Sequence, residues 1–294
     1  MVLVCSKEIL VQAYEVIANS PRIIEKSLLK GQSIVFVGDT HGDIDITHEI
    51  IKNFITEPLD DYENTLVFLG DYVDRNVRDI ENINYILRKK IEYPEKIVLL
   101  RGNHEEFSLN RRYGFFTNLI ENQLEDLYPD YERIFSVLPL AFLNTDYRVF
   151  ACHGMIPVVE VPVSLNDIEN LPKIAKFENF PTILAQIIWN DPDPNESDQS
   201  TPSWRGLGIN VGRNDLLKFM NNNNISLIIR SHFPYPEGYR LLFNEKILSI
   251  FSTPNYGGKN NPAIIARIFD NGLTELLKHT RGISGFILET SWQL

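Results

Sequence analysis

The sequence predicts an α/β protein built on parallel strands, and three observations carry that prediction. The stretches SIVFVGDTHGD, NTLVFLGDYVDRN and KIVLLRGNHEE each hold an apolar, β-branched run that stops abruptly at Gly-Asp or Gly-Asn. Such runs suit strands buried on both faces. The residues at their tips, Asp39, Asp71 and Asn103, are each 32 residues from the next. Between them lie helical patterns, Ile46 to Ile55 and Ile80 to Ile91, so the series reads strand–helix–strand–helix–strand, the crossover that makes a parallel sheet. A solenoid would share the period, but the intervening helices do not resemble each other and the period ends after Asn103.

The remaining elements follow in chain order. Ile9, Leu10, Ala13 and Ile17 are at helical spacing, with Ser6 placed to cap the start and Pro21 beyond the end. After Glu106 a mainly helical region runs to Pro139. YRVFACHGM repeats the strand-tip device, ending at His153-Gly154. The Pro-interrupted stretch from Pro157 to Trp189 has no clear period, and NDPDPNESDQSTPSWRG reads as a long polar loop of the kind that carries function. NDLLKFMNNNN reads as a helix fraying into an Asn-rich turn. SLIIRSHFPY is a strand ending in His, and KILSIFSTPNYGGKNN with PAIIARIF reads as strands around a Gly turn. No linker divides the chain, so residues 1–294 are expected to form a single domain.

Composition narrows the function. In 294 residues, Lys plus Arg is 28 and Asp plus Glu is 39, giving a net charge of −11. This excludes a phosphate-backbone binder of the usual basic kind, so no nucleic-acid partner is expected. Two cysteines far apart, Cys5 and Cys152, are no disulfide framework and point to a reducing compartment. Lys7 and Glu8 interrupt the N-terminus too early for a signal-peptide core, and no apolar stretch approaches membrane-spanning length. The expectation is a cytoplasmic protein without a membrane partner.

The strand tips point to the chemistry. Four of the six histidines, His41, His104, His153 and His232, directly follow apolar runs, whereas His48 and His279 do not. One such His is usually structural. Four, joined by Asp39, Asp71 and Asn103, form a set, because the carboxyl ends of parallel strands gather on one side of a sheet. Asp39 and His41 are two residues apart, so an extended backbone would send both side chains the same way. Carboxylate, imidazole and amide oxygen together suit Mn, Fe or Zn. These groups are too many for one tetrahedral site and suit two divalent metals sharing a carboxylate. Arg75 and Arg205 lie nearby in sequence, and guanidinium grips phosphate with two bonds. Cys152 in a strand reads as packing.

GDTHGD, GDYVDRN, RGNHEE, ACHGM, IIRSHF and STPNYGG resemble, in order and spacing, the motifs of the phosphoprotein phosphatase family, and most of all its type-1 and type-2A serine/threonine protein phosphatases. The likeness runs from about Ser6 to about Phe269. It implies a central β-sandwich of two mixed sheets flanked by helices, the calcineurin-like metallophosphoesterase fold. It also implies roles. Asp39, His41 and Asp71 would hold the first metal, and Asp71, Asn103, His153 and His232 the second, with Mn the expected ion. Arg75, Asn103, Arg205 and Tyr256 would bind the phosphate. His104 would protonate the leaving alkoxide, oriented by Asp74, whose carboxylate should raise the imidazole pKa. The attacking group would be hydroxide shared by the metals. Phosphorylated proteins would be substrates, and regulatory subunits possible partners. Two competing readings exist: a small-molecule phosphohydrolase acting on dinucleoside polyphosphates or other phosphoesters, and a non-catalytic scaffold. The scaffold should show decay at a ligand or acid position, and none is present. Where relatives carry Gly after Asp-Arg, Asn76 stands here, and an Asn tolerates the left-handed backbone such a Gly would adopt. Gly257 likewise stands where the family has Cys.

Overall fold

The computed structural model describes residues 6–279 and 285–294; Cys5 lies outside them. The chain begins α1 (Lys7–Ala18), β1 (Ile23–Lys26), β2 (Gln32–Val37), α2 (Ile44–Ile51), β3 (Glu63–Phe68), α3 (Asp79–Glu92), β4 (Ile97–Leu99), α4 (Phe107–Tyr113), α5 (Phe115–Glu121) and α6 (Tyr128–Val137). It continues β5 (Ala141–Asn144), β6 (Val149–Cys152), α7 (Leu165–Glu169), α8 (Thr182–Trp189), β7 (Asp191–Pro192), β8 (Thr201–Pro202), β9 (Ile209–Val211) and α9 (Arg213–Asn223). It ends β10 (Leu227–Arg230), β11 (Tyr239–Leu242), β12 (Ile247–Ile250), β13 (Ala263–Phe269), β14 (Leu273–His279) and β15 (Ile287–Gln293).

The apolar runs become strands because both their faces are covered. In β2 and β3 every residue after the first is buried, and β4 is buried throughout. These three strands pair in parallel, β2 with β3 and β3 with β4, within a sheet of order β15-β14-β13-β2-β3-β4. A second sheet has the order β1-β5-β6-β10-β12-β11, with β6, β10 and β12 parallel. Ile34, Phe36, Val67 and Leu69 of one sheet meet Phe142, Val149, Ala151, Ile229 and Ile250 of the other. Each fully buried Val, Leu, Ile or Phe among them contributes roughly 1.5–3 kcal/mol. Helices α1, α2, α3 and α6 cover the outer face of the first sheet, and α8 and α9 that of the second.

The expected parallel pairing holds for β2–β3 and β3–β4 in the first sheet and for β1–β5, β6–β10 and β10–β12 in the second, but not throughout. The β5–β6, β11–β12, β13–β14, β14–β15 and β2–β13 pairs are antiparallel. The Gly turn after STPNY does not close a hairpin either: β12 belongs to one sheet and β13 to the other, so this turn crosses the sandwich end. The polar loop folds into a small sheet, β7-β9-β8. Ser6 occupies the N-cap position of α1 but its side chain makes no capping bond; the helix is held by burial of Leu10, Ala13 and Ile17. No described helix is long and apolar enough to cross a membrane.

Candidate active site

Register brings the strand tips together. Val37 pairs with Phe68 and Phe68 with Leu99, so the loops that follow β2, β3 and β4 leave the sheet side by side. In the other sheet, Ala151 and Ile229 pair, setting His153 and His232 beside each other. The first tip is tied to the second by backbone: the amides of Thr40 and His41 donate to Asp71 O at 3.2 and 2.9 Å. The second and third tips touch so closely that only glycines fit. A Cβ on Gly70, whose φ is +113°, would lie 2.4 Å from Gly102 N, and one on Gly102 would lie 2.2 Å from Asp71 Oδ1.

Asp39 and His41 converge by a turn rather than by strand alternation, since regular pairing ends at Val37 and His41 has φ +40°. Asp71, Asp74, Arg75 and His232 also adopt left-handed backbone, at φ +56°, +68°, +72° and +69°. Non-glycine residues in this region cost of order 1 kcal/mol or more each and cluster at functional sites. Asn76 is not among them: the left-handed pair is Asp74-Arg75, so the residue after it needs no special tolerance.

The protonation pattern can be read from the hydrogen bonds. His41 Nδ1 donates to Val73 O at 3.0 Å, and His153 Nδ1 to Leu69 O at 3.1 Å. Each ring therefore turns a bare Nε2 inward. His41 Nε2 faces Asp39 Oδ2 at 3.6 Å and Asp71 Oδ2 at 3.5 Å. His153 Nε2 faces Asn103 Oδ1 at 2.9 Å and Asp71 Oδ1 at 3.4 Å, and lies 3.0 Å from His232 Nδ1. His232 Nε2 is buried without a partner among the described residues. Lone pairs confronting carboxylate and amide oxygens repel unless a cation sits between them.

Charge makes the same point. Burial pushes Asp39 up to about 6, and burial with the neighbouring Asp39 and Glu105 pushes Asp71 well up. Burial holds His41 down at about 3, and His153 and His232 well below their ordinary value. The interior thus has acceptors and no protein cation among them. The donor set fits divalent cations, and Asp71 faces His41 with one oxygen and His153 with the other. Donor atoms of His41, Asp71 and His104 lie within 4.8 Å of one another, as do those of Asp71, His153 and His232. His104 is less suited to a ligand role than Asp39, because its Nδ1 is 2.6 Å from Asp74 Oδ2.

That pair stands at the edge of the cluster. Asp74 is fixed by Asn110 Nδ2 at 3.0 Å and Phe115 N at 2.9 Å. Asp74 alone does not set the net shift of His104. Burial first, then the charges of Arg75 and Arg205, hold His104 down at about 3, while burial lifts Asp74 to about 6. An anion between the two arginines would cancel their contribution. Arg75 is exposed and lies over the ring of Tyr113, 3.7 Å from its centre. Arg205 is aimed by Asp191, whose Oδ2 accepts from its Nε at 2.6 Å, and it also donates to His232 O at 3.3 Å. Tyr256 stacks on His41 at 5.2 Å. A cavity of about 300 Å³, lined by His41, Arg75, Thr253 and Tyr256 among others, opens beside them. All eleven residues expected from the sequence meet here.

Residues 32–236 match the family described as calcineurin-like phosphoesterase. This chain belongs to that family. A Schizosaccharomyces pombe protein, named provisionally as a serine/threonine-protein phosphatase, is 33% identical over 247 residues, 83% of this chain and 76% of its own length. Serine/threonine-protein phosphatase 5 of Arabidopsis thaliana is 31% identical over 85% of this chain and 45% of its own. The PP2A-like phosphatase PPG1 of Candida albicans is 34% identical over 76% of this chain and 52% of its own. The chain thus spans about half the length of the last two. Among solved structures, a Saccharomyces cerevisiae protein serine/threonine phosphatase with similarity to human PP5 superimposes with a TM-score of 0.82, at 24% identity, over 98% of this chain and 88% of that one. This last likeness establishes the fold.

Several residues of this phosphoesterase site were not singled out from the sequence. Buried Glu105 accepts from Asp71 N, Tyr72 N and Gly102 N at 2.9, 3.0 and 2.8 Å, pinning two tips together. Ser231 donates to Asp39 through both its neighbourhood and its hydroxyl: Oγ–H bonds Asp39 Oδ1 closely, and the next amide, His232 N, reaches the same oxygen at 3.0 Å. Asp191 and Tyr113 position the arginines. Glu105 lay within a quoted motif, but only contacts reveal what it holds.

Proposed function

We propose that this chain is a metal-dependent serine/threonine protein phosphatase, with residues 1–294 acting as one catalytic domain in the cytoplasm. The observation that carries the reading is Asp71, whose two oxygens face two separate histidine groups while the His104–Asp74 pair and two arginines border the same space. The names of the relatives support phosphoserine and phosphothreonine in proteins as substrates.

Asp39, His41 and Asp71 would hold one divalent ion, and Asp71, Asn103, His153 and His232 the other, with Mn²⁺ the first candidate and Fe or Zn the others. Bound there, the metals supply Lewis acidity, lowering the pKa of a coordinated water and neutralising phosphate oxygens. Arg75 and Arg205, with Asn103, bind the phosphate oxygens by charge-assisted bonds. Binding a phosphate dianion offsets the two guanidinium charges that suppress protonation of His104. Asp74 keeps the imidazole oriented through Nδ1, leaving Nε2 to hand its proton to the departing serine or threonine oxygen. Tyr256, stacked on His41, closes one side of the phosphate site. Regulatory subunits are a further expectation of this reading.

The test is a substrate comparison. Strip the protein with chelator, restore Mn²⁺, and offer a phosphoseryl protein, a phosphotyrosyl peptide and a dinucleoside tetraphosphate side by side. Preference for the phosphoseryl protein is expected. A clear preference for the dinucleotide would overturn the protein-phosphatase assignment, and indifference to Mn²⁺ would overturn the metal reading.

A further inference from the structure

We propose that Arg112, with Arg111 beside it, forms an anion-binding subsite next to the phosphate site, selecting protein segments that carry a second acidic or phosphorylated side chain two or three residues from the scissile phosphate. The inference rests on the protein-phosphatase reading and names the substrate class within it.

Three facts lead to it. The first is connection. Tyr113, the last residue of α4, packs its ring 5.2 Å from that of His104, carries Arg75 at 3.7 Å and accepts Arg75 N through its carbonyl at 3.0 Å. Arg112 lies over the same ring at 5.2 Å. The two guanidinium groups are therefore within about 9 Å of each other, the span of two or three residues of extended peptide.

The second is lack of partners. In a chain of net charge −11, Arg78, Arg205, Arg213, Arg230 and Arg267 each hold a carboxylate. Among the described residues Arg75, Arg111 and Arg112 hold none, as is also true of Arg133 and Arg240 elsewhere; what distinguishes the three is that they border His104, with Arg75 and Arg112 over Tyr113 and Arg111 lying 5.7 Å from the centre of Phe107. Their place in the last turn of α4 offers only weak interaction with the dipole of a seven-residue helix. Stacked guanidinium groups keep their in-plane N–H donors free, in the fork geometry that matches carboxylate or phosphate.

The third is accessibility. Arg111 and Arg112 are exposed, as is Arg75, so each is open to a bound polypeptide. Arg75 takes the phosphate that is cleaved, and Arg112 is left for a second anion on the same chain.

The shared chemistry is an anionic side chain, and the arms of the test separate its two sources. Measure kcat and KM on three phosphoseryl peptides: one with neutral flanks, one with aspartates two and three residues to either side, and one with phosphoserine at those positions. Compare the protein with Arg112→Ala and Arg111→Ala/Arg112→Ala, each checked by thermal melting. The readout is the ratio of KM between neutral and acidic peptides. It should be roughly five- to tenfold in the unaltered protein, the size of an exposed charge-assisted contact, and fall to about one in the double variant. A ratio higher for the phosphoserine arm than for aspartate identifies a phosphate subsite; equal ratios identify a carboxylate one. Brisk turnover with the same KM on all three peptides, or a ratio that survives the double substitution, overturns the subsite and leaves the phosphatase reading intact. No turnover on any phosphopeptide overturns both.

Discussion

Replacing His104 with Asn isolates the proposed proton donor. The residue is 5% exposed, and its Nδ1 bonds Asp74 Oδ2 at 2.6 Å. The substitution removes that bond but leaves Asp74 with its donors Asn110 Nδ2 and Phe115 N. The structural cost is thus about 1–3 kcal/mol, one buried partner lost among three, within the 5–15 kcal/mol a domain typically has. The ring also touches His41 and Tyr113 by its edges and faces, and a smaller Asn leaves those neighbours in place. The chemical cost differs by substrate. A serine alkoxide must be protonated as it leaves, and a positioned acid is worth roughly 10²–10⁴-fold. That corresponds to about 3–5 kcal/mol of barrier. A para-nitrophenolate leaves unprotonated, so the same variant should lose less than about tenfold on that ester. The assay is kcat on a phosphoseryl peptide and on para-nitrophenyl phosphate, with Mn²⁺ supplied and thermal melts run alongside. Equal losses on the two substrates, in a protein that still melts cooperatively, would refute the general-acid role and leave His104 a binding or structural residue.

Three other outcomes are expected. Chelation should lower the melting temperature, and Mn²⁺ at about a hundred times its Kd should restore about 2.7 kcal/mol, or ~6 °C, whereas Asp71→Asn should melt at the same temperature with or without the ion. Asp191→Asn should raise KM for phosphopeptides roughly tenfold by loosening Arg205, and should also cost about 3 kcal/mol in denaturant unfolding, because it leaves the guanidinium of fully buried Arg230 without its carboxylate. Asp60→Asn probes pH. Two bonds from Arg267, at 2.6 and 2.9 Å, hold the Asp60 carboxyl below its ordinary value. A carboxyl depressed in the folded state adds stability above the unfolded pKa of about 3.9, and that stability is lost as pH falls through the folded pKa. Asp60 is 39% exposed, so solvent screening limits the effect to about 1 kcal/mol, or ~2 °C at neutral pH. The variant should melt lower at pH 7 and converge with the parent in acid; a constant difference from pH 7 to pH 2 would contradict the account.

Much was legible in the chain itself. Apolar runs of strand length that stop at Gly-Asp or Gly-Asn announce buried strands with ligand-type tips, and the 32-residue spacing leaves room for one crossover helix each time. That local information named Asp39, His41, Asp71, Asn103, His104, His153 and His232, because period and composition are properties of neighbours in sequence. Whether YGG closed a hairpin or crossed between sheets was not legible: a turn sequence specifies a bend, not which sheet receives the next strand. Nor could the sequence set the pKa of His104. It places Asp74 nearby but says nothing of burial, the largest cause of the downward shift, or of the two arginines that add to it.

The sequence by itself determined which groups the phosphoesterase site would contain, since strand period, turn glycines and side-chain chemistry are written residue by residue. Tertiary structure alone decided how those groups are aimed: the left-handed turns at His41, Asp71 and His232, the carbonyls that fix each imidazole, and the carboxylates of Asp191 and Glu105 that hold arginine and backbone in place. The physical reason is range. Strand and turn preferences arise from contacts within a few residues. Orientation in a buried site comes from single hydrogen bonds between segments tens to nearly two hundred residues apart, and no local pattern encodes them.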